Sequence, residues 1–307
     1  MQPAAASATP PGLDPVAAAR WLQRVPAASP WLHEWVGARM AERLACIRLQ
    51  PRAWLSWAVP LAGEQAHRRV AQRYPTARAW LAGPGALVAL RRQQTPQASR
   101  RWPWQRPAAP AEPAAQVAPD GAVAQAVDLV WANMVLHAAP NPRALLAHWL
   151  DWLAVDGFLM LSCLGPDTAR ELRALHAAHG WPPPAADYVD MHDWGDLLIE
   201  LGYAEPVMDM ERITLTYPDA ARLLADLRAW GRNWHPARHP ALRGRGWHAA
   251  WQAAVERGLP RDAEGRLCLT VEVVYGHALK PAARARDGVV TVPLEHLRAQ
   301  LGGRGRG

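Results

Sequence analysis

The sequence predicts an α/β fold, a mostly parallel, doubly wound sheet with an antiparallel strand near the C-terminus. Residues 127–133 form a short apolar run that ends on polar Asn133. Residues 142–153 then space apolar side chains at helical intervals, and residues 158–162 form a second apolar run, so the local order is strand, helix, strand. Residues 207–217 alternate between two sets of side chains and residues 267–275 are rich in β-branched types, which adds an antiparallel strand and a last strand. With 307 residues the chain can bury one substantial core. Open α/β sheets bind ligands beyond the carboxyl ends of their strands, which makes Asn133 a candidate site residue.

The elements follow in chain order. Residues 1–15 are rich in Ala and Pro, and the stretch 1–30 is expected to be disordered or loosely packed. Residues 31–47 place Leu32, Trp35, Val36, Met40 and Leu44 at helical intervals. Residues 54–63 supply the first strand and the turn after it, and residues 79–85 end the second strand. Residues 93–125 are a Pro/Ala/Gln-rich insertion with Trp102 and Trp104, where a third strand and its connection belong. Val155-Asp156-Gly157 reads as the turn into the 158–162 strand. Residues 166–179 read as a helix with Pro166 at its start, broken by Pro182, Pro183 and Pro184. A helix at 193–201 ends at Gly202, and 220–230 is a further amphipathic helix. The domain therefore spans 31–280, and 281–307 read as a flexible tail.

A net charge of +7 favours an acidic partner. The arginines are spread along the chain and no run of aromatic and basic residues resembles a nucleic-acid module, which argues against nucleic acid. Cys46, Cys163 and Cys268 lie far apart, with no pair at metal-ligand spacing, and read as free thiols in a reducing compartment. His192 and Asp193 sit among Asp187, Asp190 and Asp196, but scattered Asp before a helix reads as capping, so no metal site is assigned. The N-terminus lacks a charged start followed by an apolar core, and no segment approaches about 18 uninterrupted apolar residues. The expectation is a cytoplasmic protein with no membrane insertion.

Residues 127–173, the turn Leu164-Gly165-Pro166-Asp167-Thr168, the tetrad Asp190-Met191-His192-Asp193 and the run Val274-Tyr275-Gly276-His277 carry a family resemblance. They resemble class I S-adenosylmethionine-dependent methyltransferases, and within them the malonyl-acyl-carrier-protein O-methyltransferases of biotin synthesis. The resemblance runs over roughly residues 31–278 and is strongest after Val127. It implies a Rossmann-like fold and S-adenosylmethionine as cofactor, met by Ser56, Ala58, Gly63, Gly83, Ala132, Asn133 and His137. It also implies an acyl carrier protein or small carboxylate substrate, met by His192, Arg170, Arg222, Arg228 and Arg232. Methylation of a malonyl carboxylate would remove a charge that apolar elongation sites disfavour.

The chain departs from that family's pattern at the first two strands. Ser56 stands where an acidic residue would be, and Ala58, Pro60 and Ala62 stand where glycines let backbone N–H groups approach a cofactor. Gly83 stands where a carboxylate would accept ribose hydroxyls. Trp54 and Trp57, two of seventeen tryptophans against one phenylalanine, could fill the volume that a ribose otherwise occupies. A second reading therefore stays open, a relative that keeps the fold and a partner surface without the cofactor loop. Asn133 could equally cap the next helix, His137 could lie on the surface, and any single Arg could belong to a solvated helix face.

Overall fold

The computed structural model describes residues 12–94, 116–117 and 126–282. In chain order the elements are α1 (Pro15–Leu22), α2 (Trp31–Arg43) with a 3-10 turn at Leu44–Cys46, β1 (Ala53–Trp57), the short α3 (Val59–Ala62), α4 (Glu64–Arg73), β2 (Arg78–Ala82) and α5 (Ala86–Gln94). They continue with β3 (Gln116–Val117), β4 (Val127–Ala132), a 3-10 turn at Leu136–Ala138, α6 (Pro142–Trp152), β5 (Leu153–Leu164), α7 (Arg170–Ala178) and α8 (Met191–Leu201). The last four are β6 (Ala204–Tyr217), α9 (Ala220–Trp230), α10 (Arg245–Gly258) and β7 (Leu267–Leu279).

The seven strands form one sheet in the order β3-β2-β1-β4-β5-β7-β6. β1 to β5 pair in parallel, while β7 runs antiparallel between β5 and β6. β4 and most of β5 are buried on both sides, as continuous apolar runs require in a parallel sheet covered by helices. Alternate residues feed opposite cores: Trp54, Leu129, Trp131 and Phe158 pack on one face, and Leu55, Val130, Leu159 and Leu161 on the other. β6 is an edge strand whose side chains alternate between exposed and half-buried along most of its length.

The chain runs outward from β1 through β2 to β3 and then returns to β4 on the other side of β1. That reversal places a crevice at the carboxyl ends of β1 and β4, the customary ligand position in such sheets.

Four expectations change. The segment before residue 31 is packed where it is described: α1 is capped by Asp14, whose carboxylate accepts from the N–H groups of Val16 and Ala17, and Ala18 and Trp21 are buried. Leu13 and Trp21 belong to the same core as β1 and β4, and this apolar anchoring outweighs the Pro/Ala composition. The turn read at 155–157 lies inside β5, which begins at Leu153; Asp156 adopts φ 64° and bends the strand without ending it. Pro166 precedes α7 instead of starting it, because a turn closed by the Thr168 N–H on the Gly165 carbonyl comes first. Finally, α10 fills a stretch to which no element was assigned. The rest of the 93–125 insertion beyond Gln94, Gln116 and Val117, and the tail after residue 282, lie outside the described residues.

Among the described residues no helix is long and apolar enough to cross a membrane, and no group of three or more His, Cys, Asp or Glu is placed to hold a metal ion.

Candidate functional site

The seven expected cofactor residues lie at or just beyond the ends of β1, β2 and β4, and several of them are engaged with the chain itself. Ser56 is buried in β1 between Leu81 of β2 and Trp131 of β4. Ala58 turns the chain with φ 53° and donates its N–H to the Ala82 carbonyl at 2.8 Å. All four residues of α3 are buried, so the connection that glycines would keep open is a compact apolar turn. Gly63 is needed for its φ of 128°, and a side chain there would meet Glu34 and Ala66 at 3.0 Å.

Helix N-termini attract anions through their unpaired N–H groups. At the start of α4 those groups already have acceptors. The Ser29 hydroxyl accepts from the Glu64 N–H at 3.0 Å, and the Glu34 carboxylate accepts from Gln65 and Ala66 at 3.0 and 2.9 Å. At the tip of β2 the Trp57 indole lies so close over Gly83 that a Cβ there would stand 2.7 Å from the ring. Trp149 and Trp152 support that indole, with ring centroids 5.7 and 5.8 Å away.

Asn133 follows β4 and is fully buried. It caps no helix; Asn141 caps α6 by accepting from the Ala144 N–H. Its Nδ2 donates to the His33 carbonyl at 2.8 Å and to the Ala62 carbonyl, and its Oδ1 accepts from the Ser162 hydroxyl at 2.7 Å. One amide thus ties α2, the α3 turn, β4 and β5 together across the crevice. His33 Nδ1 bonds the Leu61 carbonyl at 2.7 Å, and burial depresses its pKa to about 4, against a smaller opposing effect of that bond. The ring is neutral with its proton on Nδ1, and its Nε2 has no partner.

His137 is buried, not exposed. It sits in the 3-10 turn after β4, where its Nδ1 accepts the Leu164 N–H at 3.3 Å. Burial first, and His33 second, lower its pKa to about 3. Since Nδ1 is the acceptor, the neutral ring carries its proton on Nε2. His137 also lines a cavity of about 320 Å³ walled by β5, α7 and α9, the proline segment after α7 and the stretch that follows α9.

Arg228 and Arg232 line that cavity as well. The other expected substrate contacts lie elsewhere. Arg170 is engaged by Asp167 and Glu171, Arg222 pairs with Asp226 beside Trp31, and His192 is an exposed residue of α8. Asp190 caps α8 by accepting from the His192 N–H at 2.8 Å, so local helix capping placed this acidic cluster. Tyr188, His176 and Trp234 line the cavity and were not expected there. Only the density of Trp between residues 230 and 251 hinted at an aromatic wall. His176 is held neutral, its pKa lowered mainly by burial; Nδ1 bonds the Pro182 carbonyl and Nε2 accepts from the Trp251 indole at 3.0 Å.

α1 closes one side of this region. The Asp14 N–H donates to the Trp234 carbonyl at 2.7 Å, Arg238 pairs with the Asp14 carboxylate at 2.7 Å, and the Trp21 and Trp234 rings lie 6.3 Å apart. Trp234 in turn lies 5.9 Å from His137.

No protein-family model matches the chain. Among solved structures it resembles the YcgJ protein of Bacillus subtilis, with a TM-score of 0.50 at 7% identity over 81% of this chain and 99% of that one. At that identity the likeness shows the fold alone. Among curated proteins it is 41% identical over 257 residues to the malonyl-[acyl-carrier protein] O-methyltransferase of Laribacter hongkongensis (strain HLHK9), covering 81% of this chain and 82% of that protein. It is 36% identical to the protein of the same name from Gallionella capsiferriformans (strain ES-2), over 86% of this chain and 90% of that one. Identity at this level, over most of the length of both chains, means that the chain belongs to the malonyl-[acyl-carrier protein] O-methyltransferase family.

Proposed function

We propose that this chain is an O-methyltransferase for the free carboxylate of a malonyl group carried by an acyl carrier protein, with S-adenosylmethionine as the methyl source and biotin synthesis as the setting. The observation that carries the reading is the 41% identity over 81% of the chain to a protein named for that activity. A carboxylate is already a nucleophile at neutral pH, so its methylation needs orientation and exclusion of water more than a base. The cavity suits that acceptor. Trp230, Trp234 and Trp251 give it an apolar wall, Arg228 and Arg232 supply positive charge, and the His137 Nε2–H is a neutral donor for a carboxylate oxygen. His137→Ala is expected to raise KM for the malonyl carrier roughly 10-fold, the effect of one lost hydrogen bond to a charged group, with a smaller change in kcat.

The donor half fits less well. At the tips of β1, β2 and β4, Trp57 stands over Gly83, α3 is packed and Asn133 is bonded to the Ala62 carbonyl. The second reading is a relative that binds the loaded carrier without transferring a methyl group, and the identity to named methyltransferases favours the first. One pair of measurements separates them. Saturable heat on titration with S-adenosylmethionine, and a malonyl carrier heavier by one methylene in the mass spectrum, support the first. Carrier binding without either result overturns the first and leaves the second.

A further inference from the structure

Two arginines, one of which lines the cavity, share one indole. Arg24, just beyond α1, and Arg232, just beyond α9, place their guanidinium carbons 5.6 and 5.5 Å from the centroid of the Trp21 ring. Arg228 lines the cavity with Arg232, and, after burial, repulsion from Arg24 and Arg228 lowers the Arg232 pKa. Among the described residues none of the three has a carboxylate partner, whereas Arg39, Arg92, Arg212 and Arg238 each do. Arg232 is fixed in place by bonds from Nη1 to the carbonyls of Arg228 and Gly231 at the end of α9. Like charges gathered around one ring with no counter-charge raise the energy of the site, and an anion between them would lower it.

We propose that Arg24 and Arg232 on Trp21, with Arg228 near Arg232, form a phosphate clamp for the phosphodiester that joins a pantetheine arm to its carrier protein. This rests on the carrier reading above. A phosphodiester keeps its charge at all relevant pH and offers several acceptor oxygens to planar, multiply donating guanidinium groups. Placement agrees with the polarity of the arm. Arg24 and Arg232 flank Trp21, whose ring lies 6.3 Å from that of Trp234, and Trp234 lies 5.9 Å from His137, so an arm whose phosphate is held at the clamp can bring its acyl end to His137.

The full chain is titrated calorimetrically with 4′-phosphopantetheine, with pantetheine and with inorganic phosphate. The expected result is that phosphopantetheine binds at least about 10-fold more tightly than pantetheine, and that an Arg24→Gln/Arg232→Gln variant loses this difference. Equal affinities in the parent chain, no binding of either arm, or a preference that survives in a folded double variant overturns the clamp. Should the variant not fold, the comparison in the parent chain decides. The clamp and the methylation reading fail separately: a chain that prefers the phosphorylated arm but forms no methyl ester keeps the clamp, and one that forms the ester without that preference loses it.

Discussion

Asn133 shows how a polar side chain at a strand tip can be committed to architecture. Its amide makes three hydrogen bonds at zero exposure, and two of the partners are backbone carbonyls that have no water to turn to. Asn133→Ala is therefore expected to destabilise the fold by about 2–4 kcal/mol, read from the urea midpoint, because it strands buried acceptors as well as removing bonds. Trp57 makes the complementary case. Its ring sits where a Gly83 side chain would stand, so Trp57→Ala opens a hollow at the tip of β2. The expected outcome is stronger calorimetric binding of S-adenosylhomocysteine by the variant than by the parent chain; equal binding would show that the indole is not what limits access.

At the scale of elements, α1 is held by a few specific contacts. Asp14 serves it twice, as the N-cap and as the partner of Arg238. Asp14→Ala is expected to cost about 1–2 kcal/mol of local stability and to speed amide exchange across Pro15–Leu22, while exchange in β4 and β5 is unchanged. The strands were largely legible in the sequence. β4 and β6 appeared from burial and alternation, and β7 from its β-branched residues. The start of β5 was not, because Val155-Asp156-Gly157 has turn chemistry and yet continues a strand, through a left-handed Asp156 and a Gly157 whose Cβ would meet the Ala154 carbonyl at 2.9 Å. α10 went unassigned although Trp247, Trp251, Ala254 and Val255 share one face at helical spacing, the face that packs against α7 and α9.

Across the whole molecule, the described residues include four histidines buried in neutral form, His33, His67, His137 and His176. Burial lowers the pKa of His33 and His67 to about 4 and that of His137 to about 3, from an ordinary value of 6.5. The unfolded chain takes up these protons near pH 6.5, whereas the folded chain resists until about pH 4. Stability is therefore fully present above pH 6.5 and falls as the pH drops toward 4, by about 1.4 kcal/mol per pH unit for each histidine. Urea midpoints at pH 7.5 and pH 5 check this: a lower midpoint at pH 5 is expected, with a smaller drop in His67→Phe, which keeps a ring against Trp54. Unchanged midpoints would mean that the rings are solvated.

Periodicity and β-branched composition by themselves determined the α/β class, the parallel centre and the antiparallel C-terminal strands, because burial on two faces of a sheet imposes an apolar pattern that can be read locally. The residues after β4 were also legible as a candidate site, since polar groups at the end of a buried strand stand out. Only the tertiary structure decided what those residues do. Whether Asn133 meets a ligand or a carbonyl depends on how α2 and α3 pack against it, whether Trp57 faces solvent or Gly83 depends on the neighbouring strand, and whether Arg232 is solvated or gathered with Arg24 depends on where α1 docks. Such contacts join residues up to hundreds of positions apart, and a local pattern holds no record of them.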